Sequence, residues 1–355
     1  MSLHAVLVVA QVGTLVFSAP AVARQGTASA HMASAADTGR VALNDSARIG
    51  SDRERGGDTD AVTVPLDSLL GLSGKLRARF LLATEHSLVL PVLRHFFGDA
   101  AASQPGVYAL QASLLDGHDF SLITLLPFTS KARGRLGEYR VGWWPAERHR
   151  RHSTAYGNPT GFIRVTPDNQ DTPVSEHFRL RDFLTHDQQD VWPKYIVLRE
   201  ALVDKLELII DDLATHGHPD AHLVVMSGFR TPEYNALGVG RRGGRARDSR
   251  HQFGDAADIY VDDDGDGRMD DLNGDGRVDS RDARVLLASV DRVEAAHPEL
   301  VGGAGVYRGT KAHGPFLHVD VRGDAVRWAV DEPAHRRAHT SKKPLTRGHG
   351  QGGTQ

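Results

Sequence analysis

Apolar positions along the chain fall into short periodic runs separated by polar stretches. The most regular set is Leu198, Leu202, Leu206, Ile209, Ile210 and Leu213. Recurrence at three and four places these side chains on one stripe of an amphipathic helix, and Gly217 with Pro219 ends it. His222–Met226 follows as a strand. Earlier, Leu76–Leu82 and His86–Leu93 carry apolar residues. GVYALQASL and FSLITLLPF are strand-like runs flanking Leu115-Asp116-Gly117-His118, where Asp-Gly signals a hairpin. GFIRVT, from Gly161, alternates like a half-buried strand. After Asp258 the pattern continues as Ile-Tyr-Val, a strand, and ARVLLASVDRVEAA reads as a helix. Gly302-Gly303-x-Gly305 predicts a tight turn into a strand carrying Val306 and Tyr307.

These runs predict an α+β protein. A small β-rich domain over 62–134, a sandwich being one form open to it, leads through a connector at 135–192 to a second domain at 193–330. Residues 24–61 are rich in Ala, Ser, Gly, Asp and Arg without hydrophobic period, and 331–355 is a basic tail; both are expected to be disordered. The first 23 residues read as an export signal: an apolar run from His4 to Val16 and then Ser-Ala-Pro-Ala-Val-Ala. The alternative is an uncleaved membrane anchor. Pro20 and two overlapping A-x-A sites favour cleavage, an exported chain of periplasmic or cell-wall location, and contact with a membrane only in transit.

Composition narrows the chemistry. With no cysteine among 355 residues, disulfides and thiolate metal sites are excluded. The net charge of −3 conceals an acidic island: nine Asp against three Arg between Asp262 and Asp282, leaving the remainder mildly basic. That balance suits an anionic wall polymer, and no nucleic-acid partner is expected. Trp143-Trp144 beside Tyr139 has two readings, a sugar-stacking platform or an aromatic cluster packed between domains.

The stretch from Ser227 to Asp258 carries SGFRTPEYN and then SRHQFGDAAD, and GPFLHVDVRG follows about sixty residues later. His251, Asp258 and His318 offer two imidazoles and a carboxylate, a usual set for a catalytic zinc ion that keeps a further position for water. S-G-F-R-T-P-x-Y-N, S-x-H-x-x-G-x-A-x-D and H-V-D resemble the zinc D-alanyl-D-alanine carboxypeptidases and their peptidoglycan endopeptidase relatives, of Hedgehog/DD-peptidase fold. The resemblance covers roughly 190–330. It implies that His251, Asp258 and His318 hold zinc, that Arg230 faces the substrate, and that the substrate is a peptidoglycan stem peptide. Arg230 has a structural alternative, a salt bridge to an acidic residue. Ser249 and Asp320 each lie two residues from a ligand. Strand alternation puts Asp320 on the face of His318, as a partner orienting the imidazole or as the general base. Where many relatives place a base shortly before the last ligand, this chain has Pro315 and Phe316. His313 and Asp320 remain, and Asp320 is favoured.

The acidic island resembles the calcium loops of dockerin modules. Asp271, Asn273, Asp275, Gly276, Val278, Asp279 and Asp282 match an EF-hand-like loop, and an overlapping copy begins Asp262, Asp264, Asp266, Gly267 and Asp270. Sharing Asp271–Asn273, the two are not expected to be complete and independent. A single helix follows, where a dockerin needs two loop–helix units. Calcium is expected to brace the connection leaving the zinc-ligand strand. The function expected is therefore an exported zinc peptidase. A metal-stabilised wall-binding protein without catalysis and a calcium-dependent interaction module are the competing readings.

Overall fold

The computed structural model describes residues 40–43, 77–112, 119–150, 153–240 and 244–329. The export segment, the hairpin tip at Asp116-Gly117 and the basic tail lie outside the described residues. Among these residues no helix is long and apolar enough to cross a membrane.

The N-terminal part comprises β1 (Arg40–Leu43), β2 (Phe80–Leu82), α1 (Val89–Phe97), α2 (Asp99–Ser103), β3 (Gly106–Ala112) and β4 (Asp119–Thr124). These strands form one sheet in the order β1-β3-β4-β2. The antiparallel β3–β4 pair is the one expected to flank the Asp-Gly turn. Two expectations are corrected. Arg40–Leu43 lies within the stretch read as disordered, yet pairs in parallel with β3, whose edge offers an unsatisfied hydrogen-bond ladder. Among the described residues of this part a two-sheet sandwich does not form, because His86–Leu93 does not enter the sheet. Val89, Val92 and Leu93 sit on one side of α1 and cover Leu81, Leu110, Phe120 and Leu122 on one sheet face. Alternation sends Phe80, Leu82, Val107 and Ile123 to the other face, where they join a core extending to Val319. The sheet is thus buried on both sides.

The 135–192 region is built into the same core. Gly161–Val165 (β8) lies between Leu126–Pro127 (β5) and Lys194–Ile196 (β9), and Arg135–Leu136 (β6) pairs with Tyr139–Arg140 (β7). GFIRVT is more buried than its alternation implied, because the sheet is covered on both faces. Phe128, Trp144 and Phe162 pack with ring centroids 5.4–5.7 Å apart. Trp144 and Tyr139 are fully buried, so their part of the aromatic cluster is packing; Trp143 alone stays 43% exposed.

The C-terminal part has α3 (Glu200–Thr215), β10 (Leu223–Ser227), α4 (Pro232–Leu237), β11 (Ala256–Val261), α5 (Ser280–Ala296), β12 (Gly303–Tyr307), β13 (Phe316–Asp320) and β14 (Val326–Ala329). The strand order is β10-β11-β13-β12-β14, antiparallel except for β12 with β14. The six stripe residues predicted for α3 are all buried. Helices α3 and α5 and Ala257, Ile259, Ala304, Val306, Leu317 and Val319 share one core. The period of two turns Asp258, His318 and Asp320 to the opposite face. The architecture is α+β, with small sheets and few helices.

Candidate metal centre

Register brings the three expected ligands together. Asp258 on β11 lies directly across from His318 on β13, and a cross-strand pair holds its side chains close on one face. His251 arrives from the 3-10 turn Arg250–Phe253. That turn ends at Gly254 with φ +66°, where a Cβ would lie 2.2 Å from the Val197 carbonyl oxygen. Only glycine allows this approach, which accounts for the glycine in the motif.

The three side chains converge. His251 Nε2 lies 3.2 Å from Asp258 Oδ1 and 3.1 Å from His318 Nδ1, and His318 Nδ1 lies 3.0 Å from Asp258 Oδ1. A tetrahedral ion with bonds of about 2.0–2.1 Å has ligand atoms roughly 3.3 Å apart, close to this triangle. The outer nitrogens decide what the inner ones present. His251 Nδ1 faces the Gly228 carbonyl at 2.7 Å, and His318 Nε2 faces Asp320 Oδ2 at 3.2 Å. Both neighbours are acceptors, so a neutral ring at either position would place its hydrogen on the outer nitrogen and leave the inner one free to ligate a cation. Two lone pairs and a carboxylate oxygen around one point form a donor set for a cation.

The electrostatics agree for two ligands and oppose for the third. Burial pushes the His251 imidazole down to about 4, with the Arg230 charge adding to the effect against the pull of Asp258. Burial alone would raise Asp258, but His251, Arg230 and hydrogen bonds from both imidazoles hold it well below the usual carboxylate range. Burial would lower His318, yet the carboxylates of Asp258 and Asp320 raise it. A metal bound there has to displace the proton those carboxylates favour.

The residues named for catalysis are placed less simply. Arg230 donates from Nη2 to Asp258 Oδ2 and from Nε to Ser227 Oγ at 2.8 Å. The salt bridge allowed by the sequence is the contact formed. Asp320 is fully buried behind the His318 ring, accepting from Arg322 and from Gly303 N at 2.7 Å. It faces the nitrogen turned away from the centre. The base role favoured from sequence therefore gives way to an orienting one, because a carboxylate on that side cannot reach water among the three ligands. Ser249 caps the start of the 250–253 turn, and its hydroxyl makes no capping bond. His313 turns its Nδ1 to the Gly314 carbonyl at 2.8 Å. Replacing Asp320 by asparagine should weaken zinc binding by roughly 10–100-fold, the usual effect of losing a ligand's orienting partner. Metal titration against a competing chelator measures it; an unchanged affinity would refute the orienting role.

Sequence reading missed the aromatic wall beside the ligands. Trp328 of β14 lies 5.3 Å from the His318 ring and donates Nε1–H to the Tyr307 hydroxyl at 3.1 Å. Tyr307 stacks on Phe316 at 4.6 Å, nearly parallel. A Cβ on Gly305 would lie 2.0 Å from the Trp328 ring, so this glycine makes room for the indole. The available signal was the shared parity of Phe316 and His318. Gly302 and Gly303 likewise let β12 approach Asp320, whose backbone and side-chain oxygens would meet a Cβ at 1.8 and 2.5 Å.

The acidic island forms two copies of one turn, nine residues apart. Asp266 N donates to Asp262 Oδ1 (3.0 Å) and Asp264 Oδ1 (3.1 Å), as Asp275 N does to Asp271 Oδ1 (3.1 Å) and Asn273 Oδ1 (3.0 Å). Gly267 N and Gly276 N close the two turns on Asp262 and Asp271. The turns 262–268 and 271–277 do not share residues, while the full loop patterns still overlap at Asp271–Asn273. Asp262, Asp264 and Asp266 bring one oxygen each within 4.8 Å of one another. Asp270 instead accepts from Asp263 N at 2.6 Å. Asp279 and Asp282 form the capping box of α5, with Asp279 also paired to Arg281.

Comparison with known proteins returns no match among protein families, curated sequences or solved structures.

Proposed function

We propose that the protein is an exported zinc metallopeptidase that hydrolyses a peptide bond in peptidoglycan stem peptides, as a D-Ala-D-Ala carboxypeptidase or an endopeptidase of Hedgehog/DD-peptidase fold. One observation carries this reading: an inner nitrogen of each of His251 and His318 and a carboxylate oxygen of Asp258 converge on one point at the spacing of a tetrahedral ion. Zinc held there would acidify bound water and polarise an amide carbonyl. The chain's own residues prepare the place. The Gly228 carbonyl and Asp320 fix the two ring orientations, and Arg230 keeps Asp258 ionised and immobile. Tyr307, Phe316 and Trp328 wall one side and exclude water from the ligands.

The test is to incubate the purified, zinc-loaded protein with muropeptides, with and without chelator, and to resolve products by mass. Chelator-sensitive loss of a stem residue supports the reading. The burial of Asp320 favours one competitor, a metal-stabilised wall-binding protein without a base. Zinc-loaded protein that binds sacculi and cleaves nothing would establish that competitor.

Calcium at the 262–268 turn is proposed as a brace. β11 ends at Val261 and α5 begins at Ser280, so the acidic turns connect the Asp258 strand to a core helix. Added calcium should raise the melting temperature of chelated protein by several degrees, through preferential binding to the folded state. Asp264→Ala should remove that increment. An identical melting curve with and without calcium would eliminate the brace.

A further inference from the structure

A cleft of about 280 Å³ is lined chiefly by Trp143, Arg148, Arg150, Pro232, Arg247 and Gln252, two of which neighbour residues of the metal centre in sequence. Gln252 follows His251, and Pro232 lies two residues after Arg230. Its floor is tied down, since Trp144, next to Trp143, donates its indole N–H to the Gln252 carbonyl at 2.8 Å.

The lining is basic beyond its internal needs. Arg150 meets Asp248 at 3.2 Å, while Arg148 and Arg247 are exposed and have no carboxylate partner among the described residues. The Nε of Arg150 is buried with no acceptor among those residues. A buried N–H without an acceptor is unfavourable, and an incoming oxygen would relieve it. Trp143 adds an exposed apolar surface at the rim. Its ring is held by the Lys131 ammonium at 5.0 Å, which is in turn fixed by the Gly142 carbonyl at 3.0 Å.

We propose that this cleft is a subsite for a side-chain or α-carboxylate of the peptide substrate, at a residue away from the bond that is cut. Guanidinium groups match a carboxylate in a two-pronged bond, and the indole accepts the apolar part of the same residue. The cleft is smaller than the roughly 300–1,000 Å³ of pockets that enclose a whole ligand, so it takes one residue of a longer chain. The identity of the ligand rests on the peptidase reading; the preference of the cleft for a carboxylate does not.

The experiment uses the full-length chain under chelator, so that no substrate is consumed. Calorimetry compares a synthetic stem pentapeptide bearing a free glutamate α-carboxylate with the same peptide amidated at that position. The free acid should bind about tenfold more tightly, the scale of one charge-assisted contact. The double variant Arg148→Gln/Arg247→Gln should melt at the wild-type temperature and bind both peptides alike. Equal binding by the wild-type chain, no binding of either peptide, or an acid preference that survives in the double variant would each overturn the subsite. Should the preference hold while zinc-loaded protein cleaves neither peptide, the peptidase reading falls and the carboxylate site stands.

Discussion

On the proposed peptidase reading, Asp258→Asn should leave a folded protein that holds no stoichiometric zinc and has lost at least about a thousandfold in amide hydrolysis. The magnitude follows from a catalytic metal contributing several kcal/mol of transition-state stabilisation, at about 1.4 kcal/mol per factor of ten. The substitution preserves shape, so β11 still pairs with β13 at this position. It removes the negative charge that faces His251, His318 and Arg230 together. Without it, a cation held between the two imidazoles would sit beside an uncompensated guanidinium. Elemental analysis of the purified variant, alongside product mass, measures both consequences. Full zinc occupancy with wild-type activity would remove the assigned centre.

The second large effect concerns a lysine far from any ligand in sequence. Lys205 on α3 is wholly buried; its ammonium donates to Glu294 Oε1 at 2.6 Å, to the Leu300 carbonyl at 3.1 Å and to the Asp320 carbonyl at 2.8 Å. Burial pushes its pKa down, and Glu294 opposes that shift. One side chain thus ties α3 to α5 and to the strand that carries His318. Lys205→Met should cost about 3–5 kcal/mol, the usual effect of removing one partner from a buried ion pair. In a chain of this size that lowers the melting temperature by roughly 10 °C. Chemical denaturation measures the change, and a loss below about 1 kcal/mol would show that the pair contributes little net stability. Glu294 retains Arg327 as a second partner, so the variant is expected to remain foldable.

Both effects converge on β13, and they differ in how far the sequence revealed them. The ligand triad was legible because residue type, glycine spacing and strand parity each constrain position locally. Gly254 has to be glycine against Val197, and His318 and Asp320 have to share a face. The helix α3 was legible from its stripe for the same reason. The surroundings of Asp320 were not legible, because parity gives its face but not its neighbours. Only packing shows Gly303, Arg322 and the outer nitrogen of His318 closing around it. The helix α1 was hidden because a short apolar run fits a strand or a helix equally until something covers it.

The amino-acid order by itself determined the α+β elements, the three metal-ligand candidates and the acidic turns, since these depend on residue chemistry at short separations. The tertiary structure alone decided that the three ligand candidates meet at one point, that Arg230 binds Asp258, and that Lys205 reaches β13. It also decided that three arginines gather beside Trp143. Each of those facts includes a contact between residues from about thirty to more than one hundred positions apart, and no local pattern encodes which distant surfaces will be pressed together.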